Sequence, residues 1–259
     1  MSINTMILMP AIFFGHGSPM NAIENNQYTK SWTEIAKSIP KPKAILAISA
    51  HWESDGTKIT SNIKQKTIHD FYGFPKELYD IQYNPNGDLN LVKDVQKLIP
   101  DAKTDDSWGL DHGTWSVLRH IYPKADVPIL QLSIDKNKTP KEHYEMAKKL
   151  HSLREKGVLI IGSGNIVHNL RMINWNKNAK PYNWAISFNN AIKKAIQDKD
   201  HNKIVDYAKI EGARESVPTS EHFIPLIYIL ALKGDEEKVS FFNDEIAMGS
   251  LSMTSVLIN

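Results

Sequence analysis

Apolar positions along this chain follow two patterns. Four short, nearly continuous runs, residues 6–14, 44–50, 129–134 and 158–161, are rich in Ile, Leu, Val or Ala and are bounded by Pro, Gly or charged residues. A run apolar on both faces predicts a strand covered on both sides, as in a parallel sheet. Elsewhere the apolar residues recur at helical spacing, as Leu91, Val92, Val95 and Leu98 do. This spacing predicts helices over 28–38, 89–98, 114–121, 141–156, 184–197, 203–209 and 223–232. Residues 239–242 and 252–258 read as closing antiparallel strands, and the Pro- and Asn-rich stretch 74–90 as a loop. Strands alternating with helices predict an α/β fold: a single domain over 1–259, with a central, mostly parallel mixed sheet flanked by helices. No internal repeat, low-complexity tract or Ser/Gly linker divides it.

Composition narrows the chemistry. With 259 residues, 41% of them hydrophobic, the chain can bury roughly 70–75% of its unfolded surface without staples. Lys and Arg number 31 against 29 Asp and Glu, a formal +2, which argues against a nucleic-acid footprint. There is no Cys, which removes disulfides, thiolate metal sites and a Cys nucleophile at once. The opening residues 1–5 hold no Lys or Arg, and no small-residue cleavage site follows, so no secretory signal is expected. The apolar run 223–232 has about half of the roughly 20 residues that span a bilayer. A cytoplasmic monomer without nucleic-acid or membrane partners is the expectation. What remains for metal or acid–base work is the carboxylates and ten His.

Five of those His fall where ligands bind. His16 follows the first predicted strand in Gly15-His16-Gly17-Ser18-Pro19, and His51 follows the second in Ser49-Ala50-His51-Trp52-Glu53. The fourth runs into Gly162-Ser163-Gly164-Asn165, with His168 just beyond. Ligands of open α/β sheets bind beyond the carboxyl ends of the strands, so three strands deliver a His to one edge. His112, in Asp111-His112-Gly113-Thr114-Trp115, and His222, in Pro218-Thr219-Ser220-Glu221-His222-Phe223, are flanked by loop or cap signals. Imidazoles suit Fe, Zn, Cu and Ni, and a His left over beside a metal can move protons near neutral pH. Any one of these His alone reads as a surface or packing residue; the set of five reads as a site. His69, His120, His143, His151 and His201 lie in charged or helical neighbourhoods and read as solvated or packing residues. Gly162-Ser163-Gly164 lacks the spacing of a nucleophile elbow and reads as a tight strand-to-helix turn. Phe71, Tyr72, Phe74, Trp108 and Trp115 could wall a pocket for a flat ring or pack in the core.

Taken in order, the five motifs, extended by His168-Asn169-Leu170 and by Phe223 with Pro225-Leu226, resemble the class III extradiol ring-cleavage dioxygenases, in the 4,5-DOPA dioxygenase extradiol branch. The resemblance runs from Phe14 to about Leu232. It implies a single α/β domain and a mononuclear Fe(II), or Zn(II) in the same site. It implies His16, His51 and His222 as metal ligands, with His168 as acid–base and near enough to count as a fourth ligand. His112 matches a second active-site His that contacts substrate. The implied partners are a small catechol such as DOPA and O2, and the product is a ring-opened semialdehyde. Relatives with two His and a Glu on the metal leave Glu53 and Glu221 open as the third ligand. The same His cluster would also serve a zinc-dependent hydrolase or an aromatic-binding non-enzyme, although two proton-moving His beside a metal have no use in a binding module.

Overall fold

The computed structural model describes residues 8–176 and 179–259. The first predicted strand therefore starts outside the described residues. Within them the order is β1 (Ala11–Gly15), α1 (Gln27–Ser38), β2 (Ala44–Ser54), β3 (Lys58–Thr60), α2 (Lys76–Tyr79), α3 (Leu89–Leu98), β4 (Lys103–Asp105), α4 (His112–Ile121), β5 (Ile129–Asp135), α5 (Pro140–Lys148) and α6 (His151–Glu155). Then come β6 (Val158–Gly164), α7 (Asn183–Gln197), α8 (His201–Val205), α9 (Ala213–Ser216), α10 (Ile224–Ala231), β7 (Val239–Phe242), β8 (Ile246–Ala247), β9 (Leu251–Ser252) and β10 (Ser255–Ile258).

Eight strands form one sheet in the order β4-β3-β5-β2-β6-β1-β10-β7, and β8 pairs with β9. The centre, β5-β2-β6-β1, is parallel. β10 and β7 extend one side antiparallel, as the C-terminal pattern predicted. The pair β3 and β4 extends the other side. Alternation along each strand divides the core. Ala11, Phe13, Leu46 and Ile48 face α3, α5, α7 and α10, while Ile12, Phe14, Ile45 and Ala47 face α1 and α4. Both faces are buried, which is why the central strands look uniformly apolar in sequence.

Four local differences from the sequence reading have physical causes. First, β2 continues past Ala50 and carries His51 within it. Its pairing with β5 jumps from Ile48↔Leu132 to Glu53↔Ile134, and this irregularity takes His51 out of the regular ladder. Second, Gly162-Ser163-Gly164 is the end of β6 and not a turn. A Cβ at Gly162 would stand 2.6 Å from the Pro225 carbonyl oxygen, and one at Gly164 2.1 Å from that of His222. These glycines let the start of α10 lie directly on the strand. Third, the helix predicted over 141–156 is two helices, a break invisible to periodicity because Ala147, Leu150 and Leu153 all stay buried. Fourth, β3 and β4 are too short and polar to signal a strand, and the predicted loop 74–90 holds the short α2. No helix among the described residues is long and apolar enough to cross a membrane.

Candidate metal centre

The carboxyl ends of the central strands bring the predicted histidines together. His16 follows β1, and its backbone N–H donates to the Gly164 carbonyl at 3.1 Å. His222 immediately precedes Phe223, the cap of α10, and its carbonyl accepts from Asn165 N–H at 2.9 Å. β6 is thus the frame on which both are hung. One ligand atom from each of His16, His51 and His222 lies within 4.8 Å of the others. The Nε2 atoms of His16 and His51 are 3.1 Å apart, inside twice the ~2.0–2.1 Å of an imidazole–metal bond. His16 and His222 are almost fully buried, at 2% and 6% exposure.

The other ring nitrogens determine which lone pairs are free. Ser163 Oγ donates to the Gly113 carbonyl at 2.5 Å, so its oxygen accepts from His16 Nδ1–H at 2.9 Å. His222 Nδ1–H donates to Glu221 Oε1 at 3.0 Å. Both rings therefore present an Nε2 lone pair. That of His222 is buried with no hydrogen-bond partner, an expensive state for a polar atom unless a cation takes the lone pair. Burial, followed by the repulsion of neighbouring imidazoles, holds His16 and His222 well below the ordinary His pKa. Burial and His112 do the same for His51 against the opposing pull of Asp70. Three neutral imidazoles with converging lone pairs fit a transition-metal ion of the iron or zinc kind.

His168 stacks on His222 with ring centroids 3.4 Å apart and planes 6° from parallel. Its ligand atom groups with those of Glu221 and His222, apart from the pair His16 and His51. Burial, then His112, lowers its pKa to about 4, so it is neutral at neutral pH with a ring nitrogen free to accept a proton. His112 is the first residue of α4, its ring centroid 4.0 Å from that of His51. A Cβ on the adjacent Gly113 would stand 2.9 Å from the His51 ring, so this close approach needs glycine there. Asp111 caps α4 and is held by Ser49 at 2.6 Å and by Gln131. Burial and the charge of Asp70 push its carboxyl up to about 6.

The remaining candidates fall outside the cluster. His69, His120 and His151 bond to backbone oxygens, His143 to Tyr228 and His201 to Tyr144. Of the five aromatics, Phe71 meets His112 edge-on at 5.6 Å, with Phe74 and Trp115 packed behind it. Trp108 stacks instead on Trp52, and Tyr72 is 92% exposed. Glu53 is exposed on β2, and no carboxylate shares the group formed by His16, His51 and His222. Ser163 is fully buried with its proton committed, which excludes it as a nucleophile. Sequence reading missed one residue, Asp70. Its Oδ2 accepts from His112 Nδ1 at 2.9 Å and lies 3.3 Å from His51 Nδ1, while its Oδ1 accepts from the His112 backbone N–H at 2.8 Å. Burial raises this carboxyl, but its bond to His112 and the attraction of both rings prevail and leave it below the usual range. Asp70 lies between β3 and α2, where no periodicity or motif marked it.

A family model described as the catalytic LigB subunit of aromatic ring-opening dioxygenase matches residues 10–256. The chain belongs to this LigB family. A 4,5-DOPA dioxygenase extradiol of Escherichia coli (strain K12) is 44% identical over 96% of this chain and 94% of its own. Its namesake in Beta vulgaris is 34% identical, with 94% of each chain covered. The crystal structure of an uncharacterized Escherichia coli K12 protein superposes with a TM-score of 0.86 at 40% identity, covering 97% of this chain and all of that one. The class III extradiol dioxygenase resemblance and the α/β fold expected from the sequence both hold, and this LigB-family chain is an oxygenase with a candidate three-His metal centre.

Proposed function

We propose that the protein is a mononuclear Fe(II) extradiol dioxygenase that opens the ring of a catechol such as DOPA with O2, giving a semialdehyde. The observation that carries this reading is the convergence of three neutral imidazoles, the buried His16 and His222 and the half-buried His51, beside His168 and His112. The names of the Escherichia coli and Beta vulgaris relatives support DOPA as the catechol. Bound by the three imidazoles, the iron would supply Lewis acidity to the catechol hydroxyls and redox capacity toward O2.

The protein's own groups do the rest. His168, neutral at neutral pH, accepts the proton of a catechol hydroxyl on a ring nitrogen. His112 gives its Nδ1–H to Asp70, so its Nε2 is left to contact substrate and to hold or return a proton. Its buried position, with the Phe71 edge against it, keeps water from that face. Ser163 and Glu221 keep the Nε2 lone pairs of His16 and His222 directed at the metal. We read the protein as cytoplasmic and its working unit as a monomer.

Anaerobic loading with Fe(II), followed by a panel of catechols and air, tests the reading. Oxygen uptake with a visible semialdehyde chromophore is expected, and product regiochemistry identifies the bond cut. A protein that binds Zn(II) and hydrolyses esters or amides, yet neither takes up oxygen nor forms a chromophore with any catechol, would overturn it.

A further inference from the structure

The geometry points to Asp70 as a positioning residue that couples the two halves of the centre, orienting the proposed ligand His51 and the substrate-facing His112 through one carboxylate oxygen. The inference builds on the functional reading above, but its metal-binding arm stands without it.

Asp70 Oδ2 is 2.9 Å from His112 Nδ1 and 3.3 Å from His51 Nδ1. A carboxylate only accepts, so His112, which hydrogen-bonds it, must turn its Nδ1–H toward it, and the negative charge 3.3 Å from His51 Nδ1 favours the Nδ1–H form there too, leaving each Nε2 lone pair on the far side. For His51 that far side is the one facing His16 Nε2 at 3.1 Å. The two rings lie 4.0 Å apart between centroids, so neither can rotate without meeting the other. Oδ1 is taken by the His112 backbone N–H at 2.8 Å, which fixes the carboxylate plane. Ser163 accepts from His16 and Glu221 from His222, whereas the carboxylate beside His51 Nδ1 is itself hydrogen-bonded to a second ring of the cluster, His112.

An amide in place of the carboxylate breaks the arrangement at little steric cost. If Asn kept its oxygen on the His112 backbone N–H, its NH2 would face two N–H groups. If it turned over, one backbone donor would be left unpaired. In the first case the rings lose the acceptor that selects their tautomer, and in the second they keep it while a buried backbone donor goes unpaired, so Asp70→Ala, which leaves no acceptor at all, is the decisive variant.

The test compares wild type, Asp70→Asn and Asp70→Ala. Thermal unfolding of the metal-free proteins comes first, with later measurements well below the lowest midpoint. Zn(II) affinity by competition with a chelating dye should fall 10- to 100-fold in both variants, the usual cost of losing a ligand's orienting partner. In metal-free protein with ring-15N histidine, the Nδ1–H form of His112 should predominate in wild type and be lost in Asp70→Ala. With saturating Fe(II), kcat for a catechol should fall at least tenfold with KM changed less. Asp70→Asn added to His112→Ala should then lower Zn(II) affinity again but kcat little further, because the effect on turnover passes through His112. Unchanged Zn(II) affinity and an unchanged His112 tautomer in folded Asp70→Ala would overturn the inference and leave Asp70 a purely structural tie to α4. If wild type opened no catechol, the functional reading would fail, and the zinc and nitrogen measurements would still decide the role of Asp70.

Discussion

Ser163 has a single hydroxyl proton, and where it goes decides the state of a proposed metal ligand, His16. Because Gly113 O takes that proton, His16 must give its own Nδ1–H, and its Nε2 is left as a lone pair. Ser163→Ala should therefore weaken Zn(II) binding about 10- to 100-fold, and it leaves a buried carbonyl short of a donor at a cost of roughly 1–3 kcal/mol. Metal competition and chemical denaturation of the same variant check the two effects separately. Removing a ligand is more severe. His222→Ala should abolish stoichiometric metal and activity together. His168→Ala should retain metal and lose kcat by at least 10²-fold, as expected for a lost proton acceptor. Metal analysis beside steady-state kinetics distinguishes these outcomes, and full catechol turnover by His168→Ala would remove it from the acid–base role. These His were legible because they follow apolar runs and sit in short motifs. Asp70 was not, since its meaning depends on rings 42 positions away in one direction and 19 in the other.

Elements place these side chains by close approach of backbones. The glycines of β6 admit the start of α10, so that the His222 carbonyl can bind Asn165 N–H while the His222 ring faces that of His16 at 5.4 Å between centroids. Gly164→Ala should force the His222 segment off the strand, costing roughly 1–3 kcal/mol as an overpacked site and reducing metal affinity by more than its effect on stability implies. Denaturation midpoints set against Zn(II) competition check this. The same contact explains why the motif read as a turn. A Gly-rich stretch after a strand normally signals a change of direction, whereas here the missing side chains serve an interface between strand and helix. The central strands were visible as apolar runs and the long helices from periodicity, whereas the short polar β3 and β4 were not. The irregularity in β2 and the break between α5 and α6 were not, because both leave the apolar pattern intact.

Across the whole molecule, the sheet concentrates neutral imidazoles in a buried place where protonation is penalised. His16, His51, His222 and His168 all titrate below the ordinary His value, principally through burial. In the unfolded chain they would take up protons near pH 6.5, so the unfolded state binds more protons than the folded state below that pH. Stability of the metal-free protein should therefore fall as pH drops from about 6.5 through about 4, where His168 itself protonates. Bound metal should move the acid transition lower and steepen it, because protons and metal compete for the same lone pairs. Urea midpoints between pH 7 and 4, with and without Zn(II), provide the measurement. Identical pH dependence with and without Zn(II) would show that these rings do not bind the ion.

Taken alone, the chain determined the α/β class, the central strands, most long helices and the five His, because each is written in local composition, short-range periodicity or a compact motif. Tertiary structure alone decided which atoms meet. The tautomers set by Ser163, Glu221 and Asp70, the stacking of His168 on His222, and the burial that keeps the imidazoles neutral all depend on groups far apart in sequence. Hydrogen-bond direction and desolvation are properties of neighbours in space, and a linear pattern carries no record of them.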